Sequence, residues 1–306
     1  MTDLVGGDAA SFRSGFACFV GRPNAGKSTL TNALVGEKVA IMSDRPQTTR
    51  RAIRGIINRP DGQLVLVDTP GLHKPRTLLG ERLNDIVRET LSEVDVIGVC
   101  LPANEKPGPG DKWILNQLTM LAPKTPVFAV ITKIDLVQKG QLAPLLMEIS
   151  TLAEFAEVIP VSAVNGEQVA LLADLFVSRL PQGPELYPDR GATDEPDDVR
   201  VSELIREAAL EGVRDELPHS LAVMIEEMGP REGNPKLTDV FAVIYVERPS
   251  QKAIVIGHQG SRLKDVGTRA RAEIEKLLGT RVYLDLRVKV AKDWQRDPKQ
   301  MARLGF

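Results

Sequence analysis

Phe16-Ala17-Cys18-Phe19-Val20 runs directly into Gly21-Arg22-Pro23-Asn24-Ala25-Gly26-Lys27-Ser28, an ungapped match to G-x-x-x-x-G-K-[ST], and a helical segment follows from Lys27 to Val35. Strand, loop and helix in that order are the context in which the pattern makes a phosphate site. Gly21 and Gly26 let the backbone curl so that successive N–H groups and the helix N-terminus face one anion. Lys27 then reaches the β- and γ-phosphates, and Ser28 offers a hydroxyl to Mg²⁺. A glycine turn without a ligand has no need of Lys-Ser at that offset.

On either side of this loop, apolar strand-like runs alternate with helix-period segments from Phe16 to Leu180. The strands are read at 15–21, 64–68, 96–101, 127–132 and 158–162. This is the pattern of an α/β fold, a mostly parallel sheet with helices on both faces. A further strand at 51–58 joins the one at Leu64 through Pro60-Asp61-Gly62, a turn signal, and supplies the one antiparallel pair. The phosphate loop occurs once, so the nucleotide unit is not duplicated. From Pro181 to Asp198 the apolar period stops in a Pro-, Gly- and Asp-rich stretch that reads as a linker. Beyond it the expected order is helix (199–215), strands (219–227 and 239–247), helix (251–256), helix (261–278) and strand (281–290).

The 306 residues suffice for two domains, each with its own core. Charge is divided between them: residues 231–306 hold 16 Lys and Arg against 9 Asp and Glu, leaving 23 against 32 in the rest of the chain. An acidic front and a basic back point to a polyanion partner for the C-terminal half. Cys18 and Cys100 both lie in apolar runs, as reduced core residues of a cytoplasmic protein would, with no disulfide framework. No apolar run approaches the length of a membrane span, and Met1 to Ser14 contains no hydrophobic segment of a secretory signal.

Three further motifs follow the phosphate loop in order. Asp68-Thr69-Pro70-Gly71 ends a buried strand and places a carboxylate where open α/β sheets bind ligands. Asp68 is expected to hold Mg²⁺ and the Gly71 N–H to meet the γ-phosphate. Thr132-Lys133-Ile134-Asp135 resembles the guanine-reading Asn-Lys-x-Asp motif of GTPases. Its Asp135 can accept from both N1–H and the exocyclic amine of guanine, a pairing that adenine lacks. Thr132 stands where that motif has Asn, keeping a hydroxyl and losing the amide. Ser162-Ala163, after the last strand, resembles the loop that offers backbone N–H groups to guanine O6. Between Gly36 and Arg50, the stretch Gln47-Thr48-Thr49-Arg50 is placed to supply a threonine that completes the Mg²⁺ shell and leaves on hydrolysis. Thr49 is favoured over Thr48 by resemblance.

Taken together, the phosphate loop, Gln47 to Arg50 and Asp68-Thr69-Pro70-Gly71-Leu72-His73-Lys74-Pro75 resemble the Era family of bacterial GTPases, and the resemblance extends over nearly the whole chain. It implies GTP and GDP as ligands, with Asn24, Ala25, Gly26, Lys27, Ser28, Thr29, Thr132, Lys133, Asp135, Ser162 and Ala163 binding nucleotide. Ser28, Thr49 and Asp68 would hold Mg²⁺, and Lys27, Thr49 and Gly71 would serve hydrolysis. Leu72 occupies the position where Ras-type GTPases have a water-orienting glutamine. That departure implies slow intrinsic turnover, and potassium held partly by Asn24 is one way to supply the missing charge. His73, a lone histidine in this loop, reads as an exposed side chain rather than a general base.

Ile254-Val255-Ile256-Gly257-His258-Gln259-Gly260-Ser261 joins two helices through Gly-x-x-Gly, the loop by which KH domains clamp the backbone of about four unpaired nucleotides. The order helix, strand, strand, helix, helix, strand resembles a type II KH domain. Gly257, His258, Gln259, Gly260, Ser261, Arg262 and Lys264 are the expected RNA contacts. His258 and Gln259 stand where relatives often carry a lysine, which shifts the electrostatic share to Arg262 and Lys264. The expected layout is a disordered N-terminus (1–14), a P-loop GTPase domain (15–180), a linker (181–198), an α+β KH domain (199–291) and a tail (292–306). By resemblance the partners are the 3′ end of small-subunit ribosomal RNA and pre-30S particles, with no stable oligomer. Two other readings stay open: a constitutive RNA-binding factor with nucleotide as a structural ligand, and a membrane-associated regulatory GTPase, cytoplasmic and peripheral at the cell membrane.

Overall fold

The computed structural model of the chain describes residues 12–43, 48–72, 77–211 and 220–305. Gln47, His73, Lys74, Pro75, residues 1–11 of the N-terminus, residues 212–215 of the expected helix and His219 lie outside them. The described residues divide into two compact units: 12–40, 49–72 and 83–194 in the first, and 41–43, 48, 77–82, 195–211 and 220–305 in the second.

The first unit is a six-stranded sheet built from β1 (Arg13–Val20), β2 (Ile53–Asn58), β3 (Gly62–Asp68), β4 (Val96–Pro102), β5 (Val127–Thr132) and β6 (Glu157–Pro160). Its order is β2-β3-β1-β4-β5-β6. Every pair is parallel except β2 with β3, whose antiparallel register runs from Ile53 opposite Asp68 to Asn58 opposite Gln63. The tight Asp61-Gly62 turn allows no helical crossover, so this pair alone can return on itself.

Alternation along β1 sorts the two faces. Ala17 and Phe19 pack with Leu30 and Leu34 of α1 (Lys27–Val35) and with Leu172 and Phe176 of α5 (Val169–Arg179). Cys18 and Val20 face the other way, onto α2 (Leu78–Glu93), α3 (Pro109–Leu121) and α4 (Lys139–Ser150). Strands covered on both faces read as unbroken apolar runs, which is why they stood out in the sequence. Each fully buried Leu or Phe contributes about 1.5–3 kcal/mol.

Strand order reverses at β1, whose neighbours are β3 and β4. The crevice at such a switch point is where open α/β sheets bind ligands, and the phosphate loop leaves β1 at that place.

Several expected boundaries change. Arg13 and Ser14 belong to β1 rather than to a disordered terminus. The stretch read as a linker is built onto the first unit as far as Asp194. The cause is Gln63, fully buried in β3. Its Oε1 accepts the Leu186 and Tyr187 N–H groups at 2.7 and 2.8 Å, and its Nε2 donates to the Tyr187 carbonyl at 2.9 Å. Ile56 of the edge strand β2 also donates to the Ala192 carbonyl at 2.8 Å. A Pro-rich segment without apolar period thus covers a sheet edge.

The second unit has the order α6 (Asp197–Leu210), β7 (Ala222–Arg231), β8 (Asn234–Val246), α7 (Pro249–Ile256), α8 (Ser261–Leu278) and β9 (Arg281–Val290). In the sheet β7-β8-β9 the first pair is antiparallel and the second parallel, the type II KH arrangement. Val201 and Ile205 of α6 pack with Val266, Ala270 and Ile274 of α8 against Val240, Ala242 and Ile244 of β8. Both strands of the hairpin run longer than read from the sequence. They meet at Glu232-Gly233, with Gly233 at a φ of 74°. Pro230 is tolerated because β7 is an edge strand and the register shifts between Pro230 and Arg231.

The residues read as a tail are folded as well. Trp294 is fully buried, and α9 (Pro298–Arg303) is capped by the Asp297 side chain, which accepts the Lys299 and Gln300 N–H groups.

Candidate nucleotide-binding and RNA-binding sites

The phosphate loop is held from below and from the side. Gly26 enters α1 at a φ of 88°, and Asn24 turns the loop at a φ of 62°. A Cβ on Gly21 would stand 2.8 Å from the Cys100 carbonyl oxygen of β4, so the loop start has no room for a side chain. Lys27 is buried, its Nζ donating to the Gly21 and Arg22 carbonyls at 3.3 and 3.2 Å. Burial pushes the Lys27 ammonium below its usual range, against the pull of Asp68. A desolvated cation among backbone dipoles is stabilised by arriving phosphate charge.

Ser28, Thr49 and Asp68 converge. Asp68 Oδ2 accepts from Ser28 Oγ at 2.8 Å and from Thr49 Oγ1 at 3.1 Å, and the two hydroxyls are 3.0 Å apart. Asp68 Oδ1 is buried and meets no hydrogen-bond donor among the described residues. Burial raises the Asp68 carboxyl, countered by Lys27. Two hydroxyls beside an unsatisfied buried carboxylate are a hard donor set that suits Mg²⁺. Gly71 lies against the loop, where a Cβ would come within 3.2 Å of the Pro23 nitrogen. Leu72 is buried, and an apolar side chain can neither accept from nor orient a water.

At the end of β5, Lys133 takes the left-handed conformation at a φ of 58° and turns the chain into the short helical turn carrying Asp135. Asp135 Oδ1 accepts from Ser162 Oγ at 2.7 Å, leaving the exposed carboxylate oriented for a ligand. Ser162 does not offer its own amide, as read from the sequence, because that N–H donates to the Glu167 carbonyl at 3.1 Å. Only the Ala163 N–H remains of the expected pair, and Ser162 acts through its hydroxyl. Thr132 Oγ1 donates to the Ala25 carbonyl at 2.7 Å, tying the base-reading strand to the phosphate loop.

One tie of the phosphate loop has no local sequence signal. Arg22 Nε donates to Asp111 Oδ1 at 2.8 Å and its guanidinium pairs with Glu105 at 3.0 Å. Asp111 also accepts the Gly108 N–H at 2.7 Å, closing the first turn of α3. The pairing spans 89 residues, so nothing in the spacing of either residue could have announced it.

In the second unit the loop between α7 and α8 has the backbone that Gly-x-x-Gly demands. Gly257 and Gly260 sit at φ values of 74° and 78°, with Gln259 between them at 49°. A Cβ on Gly257 would meet the Arg262 Cβ at 2.7 Å. His258, Gln259, Ser261 and Lys264 are at least partly exposed, as is the apolar Ile254 one turn before the loop. Arg262 also has partners within the fold: its guanidinium donates to the Ala209 and Glu211 carbonyls at the C-terminal end of α6, at 3.2 and 3.0 Å. Arg269 does the same at the Ala208 carbonyl and pairs with Glu211 and Asp265. Both arginines satisfy orphan helix carbonyls, and Lys264 stands exposed beside the loop. Among the described residues no helix is long and apolar enough to cross a membrane.

The family model of the 50S ribosome-binding GTPases matches residues 16–133, and that of the KH domain matches residues 216–295. The chain is 64% identical over 296 residues to GTPase Era of Mycolicibacterium smegmatis, covering 96% of this chain and 99% of that protein. The chain belongs to the Era family of GTPases. Against GTPase Era of Streptomyces coelicolor the identity is 66% over 302 residues, covering 96% of this chain and 95% of the relative. Two solved Era structures superpose with a TM-score of 0.91 at 38% identity, over 96% of this chain and 99% of theirs. One is Era in complex with MgGDPNP and nucleotides 1506–1542 of 16S ribosomal RNA, and the other is a point variant of Aquifex aeolicus Era bound to GDP and AlF4⁻. As an Era-family GTPase the chain converts GTP to GDP and phosphate, and its two folds are those of the family.

Proposed function

We propose that this chain is a GTP-driven switch whose KH unit binds the 3′ end of small-subunit ribosomal RNA in assembling pre-30S particles. The observation that carries the reading is a Gly-x-x-Gly loop of KH geometry on the same chain as a phosphate loop, in a relative of the Era solved with both MgGDPNP and such RNA. In the nucleotide site the amides of residues 24–29 bind phosphate, and Lys27 places its charge there. Ser28, Thr49 and Asp68 hold Mg²⁺, which when bound supplies charge neutralisation between the phosphates. Asp135 and the Ala163 N–H read guanine, with Ser162, Thr132 and Lys133 fixing their positions.

The test is RNA affinity with GTP analogue, with GDP and without nucleotide. A switch binds the 3′-end RNA at least about fivefold tighter in one nucleotide state than in the other, because a ligand without differential affinity shifts nothing. Equal affinities in all three would instead make the chain a constitutive RNA-binding factor. In the same titration Lys264→Ala is expected to flatten the slope of log affinity against log salt by about 0.7, the value of one phosphate contact to a single strand. An unchanged slope would take the RNA away from this loop.

Leu72 cannot orient the attacking water, so part of the catalytic charge is assigned to potassium near Asn24, at the exposed turn of the phosphate loop. Turnover should then be several-fold faster in potassium than in sodium chloride at equal ionic strength, and equal rates would remove the ion from the scheme. The protein is placed in the cytoplasm, with peripheral membrane contact through the basic face of α8 to be read in a liposome pelleting assay.

A further inference from the structure

Thr132 shows how this chain departs from the guanine-reading motif and what the departure costs in recognition. Its side chain is almost fully buried, and its one hydroxyl proton is committed to the Ala25 carbonyl at 2.7 Å. A threonine hydroxyl carries a single donor and two lone pairs. With that proton spent, Oγ1 faces any further partner as an acceptor only.

The covalent structure of guanine places what this hydroxyl would meet. N1–H and the exocyclic amine lie on one edge, which Asp135 is built to accept. O6 is next, opposite the Ala163 N–H, and N7 follows O6 around the ring, on the side of the phosphate loop. The side chain standing between the base-reading turn and that loop is Thr132, whose Cβ and Oγ1 come within 3.5 Å of a Cβ built on Gly26. N7 is a lone pair without a proton, and two acceptors cannot make a hydrogen bond.

We infer that this protein reads guanine without a side-chain hydrogen bond to N7, and that Thr132 sets this specificity by keeping the tie to the phosphate loop while giving up the purine contact. The inference rests on the guanine site described above. Discrimination is thereby concentrated on the edge facing Asp135 and on O6, and a guanosine nucleotide altered only at N7 passes as the natural one.

Titration calorimetry of the full chain with Mg²⁺, comparing GDP with 7-deaza-GDP, in which N7 is a C–H group, decides the matter. Affinities within about twofold of each other are expected. GDP bound at least fivefold tighter than its deaza analogue would overturn the inference and leave the guanine site standing, whereas no heat from either nucleotide would remove both.

Thr132→Asn reverses the expectation. Its amide has two N–H groups, one for the Ala25 carbonyl and one for N7, so the variant should prefer GDP over 7-deaza-GDP by about five- to tenfold, the worth of one neutral hydrogen bond. A folded Thr132→Asn chain that treats the two alike would overturn the assignment by showing that position 132 does not face N7. Should the larger side chain prevent folding, the comparison of the two nucleotides on the unaltered chain still decides between the outcomes.

Discussion

Asp135→Asn is expected to weaken GDP binding by about 10³-fold and to make XDP the better ligand, as measured by titration calorimetry with Mg²⁺ present. The carboxylate accepts from two guanine N–H groups at once, and hydrogen bonds to a charged acceptor contribute about 1.5–3 kcal/mol each. A carboxamide keeps one acceptor and turns the other into a donor that faces the exocyclic amine, leaving two donors in opposition. Xanthine carries a carbonyl in place of that amine, so the same amide N–H finds an acceptor. Ser162 Oγ, which donates to Asp135 Oδ1 at 2.7 Å, keeps a carbonyl partner in the variant and holds its orientation. An Asp135→Asn chain that still prefers GDP to XDP would remove Asp135 from base recognition, whatever its effect on affinity.

The parts of this site that were legible in the sequence are those whose function constrains consecutive residues. A phosphate loop needs small residues and Lys-Ser at fixed offsets, so Gly21 to Ser28 and the helix to Val35 could be read to the residue. Asp68 was legible because it ends an apolar run at the switch point of the sheet. What escaped were pairings set by the tertiary fold. Gln63 carries no signal in its local sequence, yet it is fully buried and bonded to the main chain of residues 186 and 187. Arg262 was read as an RNA contact from its place after Gly-x-x-Gly, and its bonds to two carbonyls at the end of α6 had no signal in that spacing. Ser162 lost its amide to Glu167 through a contact no tetrapeptide encodes. The β7–β8 hairpin was cut short because Gly229, Pro230 and Gly233 have the composition of a loop. An edge strand accommodates Gly229 and Pro230, since half of its backbone groups need no partner within the sheet, and Gly233 makes the turn at a φ of 74°.

Trp294→Ala is expected to destabilise the second unit by about 3–5 kcal/mol, the cost of truncating a large buried aromatic side chain. Trp294 is 0% exposed, and its indole N–H donates to the Ser220 carbonyl at 2.9 Å. The Ala291 N–H continues the pairing to the Val246 carbonyl at 2.8 Å, and Met301 and Leu304 of the last turn are buried. Removing the indole therefore opens a cavity and takes the indole donor from a buried carbonyl together, two penalties that one substitution incurs. Hydrogen exchange is the direct readout: amides of β7, β8 and β9 should exchange about 10²- to 10³-fold faster, in the regime where exchange follows the opening equilibrium. Trp294→Phe retains most of the volume and loses the donor, and should sit near 1–2 kcal/mol by about the cost of one lost hydrogen bond. If Trp294→Ala leaves protection of the three strands unchanged, residues 292–305 are an appendage to the KH fold. If protection falls in that order, Ala more than Phe, residues 292–305 are part of the core of the KH unit.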